Sequence, residues 1–445
     1  MFSKRSLVIV CIIITLLSAM GLAQEDHNQF RQLGQLLPAP NAYRTGSGKP
    51  GPEYWQQRAD YTIAVEIDEE AKKLDGSETI TYYTHSPDPL ESVWIQLDQN
   101  SLAGNSLASQ THSQTLRERM MMSQISRLHT SFDGGFKIQS IRDRSGKSLS
   151  YEIVHTMMRV DLANTLRPGG SCVLHIKYGY NINNKSIVGG RSGYLESEGD
   201  SSLIFAMAQF FPRMAVYDDV KGWRHKQYLG SGEFALPFGN YTVSITVPAD
   251  HIVGATGTLQ NPAQVLSAHQ RQQLAKAMRS TETTVLIVDE KAAEKNGEAR
   301  STRKKTWIFK AENVRDFAFA SSRNFIWDAM AVKLKSHTAL AMSFYTKEGN
   351  PLWEKYSTKA LAHAVRFYSR YTMEYPYPKA VSVMVGRGGG MEYPMLAFNG
   401  GKADPDGTYS EWAKKGLVGV VIHEFGHNIF PMIVNSDERQ WGWMD

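Results

Sequence analysis

The sequence contains very little cysteine. Only Cys11 and Cys172 occur in 445 residues, and Cys11 lies in an N-terminal segment with the pattern of a removable secretory signal. The mature chain would then hold one thiol and no internal disulfide, so its stability has to come from a hydrophobic core. We interpret Cys172, which stands in the sequence Ser171-Cys172-Val173-Leu174-His175-Ile176, as a buried strand residue.

Long apolar runs are also missing beyond the N-terminus, so no later segment is expected to cross a bilayer. The chain opens with the basic residues Lys4 and Arg5, continues as an apolar stretch over 7–23, and offers small residues before a cleavage point after Ala23. This pattern predicts a signal peptide over 1–23 and an exported protein, periplasmic or secreted. An uncleaved anchor is the alternative, because the apolar stretch is at the short limit for a membrane span.

A strong charge of either sign is absent as well. The formal net charge is +5, and removal of Lys4 and Arg5 with the signal would leave about +3, which is too weak to indicate nucleic acid as a partner. A hydrophobic content of 42% with 21% charged residues is typical of a globular protein. Residues 24–52 are polar and contain Pro, Gly and Ser, which predicts a linker or extended arm.

Alternating apolar and polar residues dominate the first part of the remaining chain. Tyr61–Asp68 and Ser77–Thr84 are predicted as two strands of a hairpin, with the turn at Leu74–Gly76. Further short strands at similar spacing predict a β-rich N-terminal domain of sandwich or saddle-like type over 53–328. Two stretches break the strand pattern and are predicted as insertions, near 101–133 and 264–305. Within the first of them, Leu116–Leu128 has helical character.

The pattern changes at about residue 329. Leu352–Tyr371 carries apolar residues at helical spacing and predicts a long amphipathic helix. Ala380–Val385 is typical of a buried strand, and Ser410 is placed to cap a later helix. Residues 329–445 are therefore predicted as the first part of an α/β domain, which makes the protein multidomain.

The later helix carries the sequence His423-Glu424-Phe425-Gly426-His427. Because residues four apart share one face of a helix, His423 and His427 would point the same way and could hold a single zinc ion. Glu424 would then lie beside the metal, placed to take a proton from a water activated by zinc. The alternative is a buried helix that carries two histidines by accident.

A second motif precedes this one. Gly389-Gly390-Met391-Glu392-Tyr393 resembles the Gly-x-Met-Glu-Asn motif of the M1 zinc aminopeptidases, which are aminopeptidase N-like enzymes, and His423 follows Glu392 by 31 residues, a spacing similar to that of the family. The resemblance implies a β-rich N-terminal domain, a thermolysin-like catalytic domain and one zinc ion. It also implies peptide substrates with free N-termini.

The resemblance further implies roles for individual residues: zinc ligands at His423 and His427, a general base at Glu424, an α-ammonium-binding carboxylate at Glu392, and a backbone that approaches the peptide closely at Gly389, Gly390 and Met391. A mid-chain peptide bond has no ammonium group to pair with the carboxylate of Glu392, so this arrangement favours exopeptidase activity.

A weaker match lies in the first half of the chain. Ala208–Ala215 resembles the Thr-Gln-x-x-Pro-x-x-Ala segment of the family, which makes Gln209 a candidate substrate contact; an ordinary loop glutamine is the alternative. Two departures indicate a divergent branch. Val216–Val220 replaces the family's Pro-Cys-x-Asp-Glu-Pro, and Tyr393 stands where the common motif has Asn.

The family's zinc signature continues for eighteen residues after the second histidine and then has a glutamate. Here those eighteen residues are Asn428–Asp445, so the resemblance implies that the third zinc ligand and the transition-state tyrosine follow Asp445. We therefore expect poor activity from these 445 residues alone. Two other hypotheses are a thermolysin-like zinc endopeptidase and a non-catalytic relative that acts as a binding protein. The sequence does not indicate an oligomeric state.

Overall fold

The computed structural model describes a large part of the chain, namely residues 40–111, 119, 132–197, 202–386 and 388–444. The predicted signal peptide lies outside the described residues, and of the predicted helix over Leu116–Leu128 only residue 119 is described. The chain divides into two compact units, Met1–Tyr54 and Trp55–Asp445. None of the described helices is both long and apolar enough to span a membrane.

The first unit contains a small turn in the stretch predicted as a linker. A bridge between Arg44 and Pro50 closes it. The side-chain oxygen of Asn41 accepts hydrogen bonds of 2.8 Å from the backbone N–H groups of Tyr43 and Arg44, as asparagine commonly does in turns.

The second unit contains the sheets and helices. Its strands are β1 (Arg58–Asp68), β2 (Lys73–Tyr83), β3 (Leu90–Gln96), β4 (Lys137–Asp143), β5 (Tyr151–Val154), β6 (Met157–Leu166), β7 (Ser171–Asn181), β8 (Gly193–Glu196), β9 (Leu203–Met207), β10 (Arg213–Met214), β11 (Tyr217–Asp218), β12 (Gly222–Trp223), β13 (Gly239–Pro248), β14 (Ile252–Ala255), β15 (Thr258–Leu259), β16 (Val285–Val288), β17 (Lys304–Val314), β18 (Phe319–Ser322), β19 (Ile326–Lys333), β20 (Thr338–Tyr345), β21 (Lys379–Met384), β22 (Gly390–Tyr393) and β23 (Leu396–Asn399). Its α-helices are α1 (Leu107–Thr111), α2 (Pro262–Val265), α3 (Ala268–Ala277), α4 (Glu290–Ala299), α5 (Leu352–Tyr371), α6 (Glu411–Gly426) and α7 (Glu438–Trp441).

The largest sheet has seven strands in the order β15-β17-β13-β1-β2-β7-β4. In β1 every second side chain is buried, which confirms the predicted alternation. The β1–β2 hairpin is also confirmed, but the turn predicted at Leu74–Gly76 is wrong, since these residues pair within the ladder and the chain reverses over 69–72. Position 76 requires glycine because a Cβ there would lie 2.5 Å from the ring of Tyr178 on the neighbouring strand β7.

Cys172 lies in β7 of this sheet and is only partly buried, packed against the core. Burial nevertheless raises the pKa of its thiol to about 12. The prediction of a strand position is confirmed, and the thiol remains protonated at neutral pH, as expected of a structural cysteine.

The α/β part is built on a six-stranded sheet with the order β16-β19-β20-β21-β23-β22. Helix α5, which matches the predicted amphipathic helix, connects β20 to the parallel strand β21. Helix α6 begins after Ser410, whose hydroxyl accepts a hydrogen bond of 3.1 Å from the backbone N–H of Ala413. Strand β16 lies within the stretch predicted as an insertion and pairs with β19 at one edge of this sheet.

The predicted fold class is confirmed: a β-rich N-terminal part precedes an α/β part, and several sheets share one core. The opposite edge of the six-stranded sheet is β22, which carries the last four residues of the Gly-Gly-Met-Glu-Tyr motif. Helix α6 packs against β22 and β23. This packing brings the two sequence motifs together.

A buried network of charges fixes the segment that follows α6. Arg439 donates hydrogen bonds of 2.6 Å to both carboxylate oxygens of Asp98, and Arg213 bridges Asp98 and Asp316 at 2.5 and 2.6 Å. The four side chains are at most 3% exposed. Two positive and two negative charges compensate each other, which is the condition under which ions are tolerated in a protein interior.

A second buried polar network lies beneath α5. Asp328 accepts hydrogen bonds from Thr358 and, at 2.9 Å, from the hydroxyl of Tyr345. From Thr358 the hydrogen bonds continue through Ser343 and other hydroxyl groups toward β23. Burial raises the pKa of Asp328 to about 7, because it outweighs the opposite effect of the hydrogen bonds from Thr358 and Tyr345.

Candidate active site

The two histidines lie at the C-terminal end of α6, on one face, as the spacing predicts. Their Nε2 atoms are 3.2 Å apart. Two nitrogens bound to one tetrahedral zinc ion at about 2.0–2.1 Å would be about 3.3 Å apart, so the observed separation fits a shared ion. Nδ1 of His427 is 2.9 Å from the carbonyl oxygen of Phe430. It must therefore be the protonated nitrogen, which leaves Nε2 with a free lone pair for a metal.

The carboxylates of Glu392 and Glu424 lie close to His427. Ligand atoms of Glu392, Glu424 and His427 all lie within 4.8 Å of one another. Oε1 of Glu392 is 3.9 Å from Nδ1 of His427. Glu392 comes from the edge strand β22 and Glu424 from α6, so the structure joins residues that are 32 positions apart in the sequence.

Glu424 is held in an environment that favours its protonated form. The residue is 5% exposed, and its Oε2 makes no hydrogen bond to any described residue. Burial is the main cause that raises its pKa to about 7, and the negative charge of Glu392 adds to it, while His427 and Arg191 act in the opposite direction. A carboxyl group that titrates near neutral pH is suited both to accept a proton and to return it.

Gly390 provides the space that the carboxylate of Glu424 occupies. A Cβ at position 390 would lie 2.0 Å from Oε1 of Glu424. The neighbouring Gly389 has φ +79°, a conformation that side chains disfavour, and Met391 is partly buried against the core. The predicted approach of a peptide to these three residues stays a prediction, but the structure gives Gly390 a separate reason to be glycine.

Gln209 comes from the β-rich part, where it follows β9 with φ 52°. It is 3% exposed, and its Nε2 makes no hydrogen bond to the described residues. Its side chain lies near Tyr228, whose hydroxyl donates a 2.8 Å hydrogen bond to Glu233. Glu233 in turn pairs with Arg191, the charge that acts on Glu424. Gln209 therefore lies next to a polar group formed by Tyr228, Glu233 and Arg191.

Comparison with known proteins gives structural matches only. No protein-family model and no curated protein matches the sequence. Similar solved structures include an M1 zinc metallopeptidase from Deinococcus radiodurans, with a TM-score of 0.49 and 16% identity over 86% of this chain and 65% of that one. A mutant of that enzyme bound to a Tyr-Ser-Ala substrate gives a TM-score of 0.48 and 15% identity, over 86% of this chain and 66% of that one.

The structural neighbours are M1 zinc metallopeptidases. A third example, a mutant two-domain M1 zinc metallopeptidase bound to L-arginine, gives a TM-score of 0.48 and 14% identity over 86% of this chain and 66% of that one. The chain spans about two thirds of the length of these structures, and 65% of the length of the Deinococcus radiodurans metallopeptidase named first. These likenesses assign no activity and no residue role to the chain.

Three residues of the polar network were missed by sequence reasoning. Arg191, Tyr228 and Glu233 belong to no recognised motif, and the hydrogen bond between Arg191 and Glu233 joins residues 42 apart. The only local signal is the pair of glycines before Arg191, which indicates a turn. Nothing in that turn shows which carboxylate its arginine meets.

Tyr393, which replaces the Asn of the common motif, is fully buried. Its ring packs against Phe234 at a centroid distance of 5.5 Å, and its hydroxyl has no hydrogen-bond partner among the described residues. Burial raises its pKa well above the usual range. The substitution therefore fills a space between the edge strand β22 and the β-rich part with a neutral ring.

Proposed function

We propose that this chain forms the metal- and amine-binding centre of a zinc aminopeptidase, which hydrolyses the N-terminal bond of peptides. One observation carries the proposal. Ligand atoms of Glu392, Glu424 and His427 lie within 4.8 Å of one another, so a second carboxylate lies beside the proposed general base. A zinc endopeptidase has no use for that extra carboxylate.

His423 and His427 would hold the zinc ion, with the carbonyl of Phe430 fixing the second ring. The ion, when bound, polarises the attacking water and the scissile carbonyl. Two imidazoles bind zinc more weakly than the three protein ligands of a typical catalytic site. We therefore propose that these 445 residues alone bind zinc weakly and hydrolyse peptides slowly.

Glu424 acts as the proton carrier in this proposal. Its raised pKa allows it to take a proton from the attacking water and to pass it to the departing amine. Glu392 pairs with the α-ammonium group of the substrate, which aligns the first peptide bond with Glu424. The N-terminal charge of the peptide then serves both to recognise the substrate and to position its first peptide bond.

The test compares a free-amine peptide with its N-acetylated twin. We expect the acetylated peptide to be cleaved at least tenfold more slowly, because it lacks the charge that Glu392 pairs with. The variant E392Q should reduce this preference while retaining bound zinc. Equal cleavage of the two peptides would favour the endopeptidase hypothesis, and absence of zinc from protein purified with the metal would favour a binding protein.

Export is part of the proposal. The basic and apolar pattern over 1–23 supports a signal peptide, with the mature protein in the periplasm or secreted. Mass spectrometry of the intact exported protein should show a mature chain that begins at Gln24. A retained Met1 would contradict cleavage.

A further inference from the structure

A short loop before β8 presents Arg191 in a fixed position. Lys185 Nζ donates hydrogen bonds of 2.9 Å to the carbonyl oxygens of Gly190 and Arg191, and Nδ2 of the buried Asn183 donates one of 2.5 Å to the carbonyl of Gly189. Gly190 adopts φ +88° and lies so close to Leu102 that a Cβ would be 3.0 Å from it. The loop is thus constrained by hydrogen bonds and packing before any ligand binds.

Two contacts hold the Arg191 side chain. Its Nε donates a 2.6 Å hydrogen bond to Glu233, and one terminal nitrogen lies 3.4 Å from the carbonyl of Gly230. The side chain is 34% exposed, whereas that of Glu233 is 4% exposed. A guanidinium has five N–H donors. Two of them are used within the described residues, and about a third of the side chain is exposed to solvent.

Packing places Arg191 near the candidate active site. Its ion-pair partner Glu233 lies in the β-rich part, and Tyr393 is the residue next to Glu392 in β22. Phe234, which follows Glu233, packs on Tyr393. A buried carboxylate therefore holds a partly exposed cation near the strand that carries Glu392, and the cation comes from the β-rich part rather than from the α/β part.

We propose that Arg191 binds a carboxylate of the substrate. This inference rests on the proposed function, in which Glu392 holds the ammonium group of a peptide. A preferred substrate would then offer two opposite charges, an ammonium to Glu392 and a carboxylate to Arg191. The planar guanidinium suits a carboxylate because it can donate two parallel hydrogen bonds. The carboxylate belongs either to an acidic N-terminal residue or to the C-terminus of a short peptide.

Binding measurements on a variant without the proposed general base test whether Arg191 binds a substrate carboxylate. The full 445-residue chain carrying E424Q is titrated by calorimetry, in the presence of zinc, with four peptides: Ala-Ala-Ala, its C-terminal amide, Glu-Ala-Ala amide, and N-acetyl-Ala-Ala-Ala. We expect one carboxylate-bearing peptide to bind roughly tenfold or more tightly than Ala-Ala-Ala amide. Preference for the free acid identifies the C-terminus as the ligand, and preference for the Glu peptide identifies the side chain.

Variants separate Arg191 from the rest of the site. R191Q should abolish the carboxylate preference, and R191K should retain part of it. Because R191Q leaves Glu233 buried without its partner, the double variant R191Q/E233Q is measured too and should show the same loss at a parental melting temperature. R159Q, at an exposed arginine paired with Asp161, is the matched control and should keep the preference.

The two hypotheses fail in different ways. If the parent shows no carboxylate preference, or the double variant keeps it, Arg191 is not a substrate ligand. If the acetylated peptide binds as tightly as Ala-Ala-Ala, the proposed ammonium recognition fails, whatever the result at Arg191.

Discussion

Replacing Gly390 by alanine should inactivate the proposed enzyme without unfolding it. The new Cβ would lie 2.0 Å from Oε1 of Glu424, while an ordinary contact begins at 3.4 Å, so the carboxylate has to retreat by about 1.4 Å. The atoms it meets belong to the end of a flexible side chain, and the backbone around Gly390 is extended strand that alanine adopts easily.

A displacement of about 1 Å in a reacting group is enough to reduce a rate by about 100-fold. We therefore expect G390A to lower the rate of peptide hydrolysis by about 100-fold, relative to the parent chain prepared in the same way. The melting temperature should change by only a few degrees. Zinc affinity should be unaffected, since the substitution does not touch His423 or His427.

The control is a second glycine-to-alanine change on the helix that carries Glu424. At Gly419 a Cβ would meet nothing within 4 Å, so G419A should retain full activity and stabilise the helix by up to about 1 kcal/mol. Parental activity in G390A would show that the position of the Glu424 carboxylate is not critical. Loss of zinc together with activity would show that the substitution disturbs α6 as a whole.

Three further predictions concern the metal and the two buried networks. H423A should reduce zinc affinity at least tenfold, measured by competition with a chelator; unchanged affinity would exclude this residue as a ligand. R439M should lower the free energy of unfolding by about 3–5 kcal/mol in urea titrations, because it leaves Asp98 in the interior without its second partner. D328N should flatten the dependence of stability on pH. Because burial raises the pKa of Asp328 from 3.8 to about 7, the unfolded chain loses this proton first, and the parent should lose up to about 4 kcal/mol as the pH rises from 4 to 7. Equal slopes for parent and variant over that range would refute the assignment.

The local part of the structure was predictable from the sequence. The shared face of His423 and His427 follows from the helical repeat, and the strand β1 follows from its alternation, because both patterns depend only on near neighbours. The position of the first hairpin turn was not predictable. In the sequence, a glycine within a strand cannot be distinguished from a glycine in a turn. Gly76 is explained only by the ring of Tyr178, about a hundred residues later, which lies against it in the structure.

The site was predictable to the extent that its motifs are local. The approach of β22 to α6 could be expected only from the resemblance to a family, and the structure now shows it directly. The pairing of Arg191 with Glu233 and the membership of β16 in the six-stranded sheet depend on contacts between distant segments. Such contacts leave no periodic pattern in the sequence.

The buried charges around Asp98 also bear on the order in which the protein is made. Domains generally begin to fold from the N-terminal side during synthesis, at about 5–20 residues per second. Asp98, Arg213 and Asp316 leave the ribosome first and together carry one uncompensated negative charge. Their last partner, Arg439, is 341 positions after Asp98. A nascent β-rich part therefore keeps this uncompensated charge for about 6–25 s, the time that synthesis needs to proceed from Asp316 to Arg439.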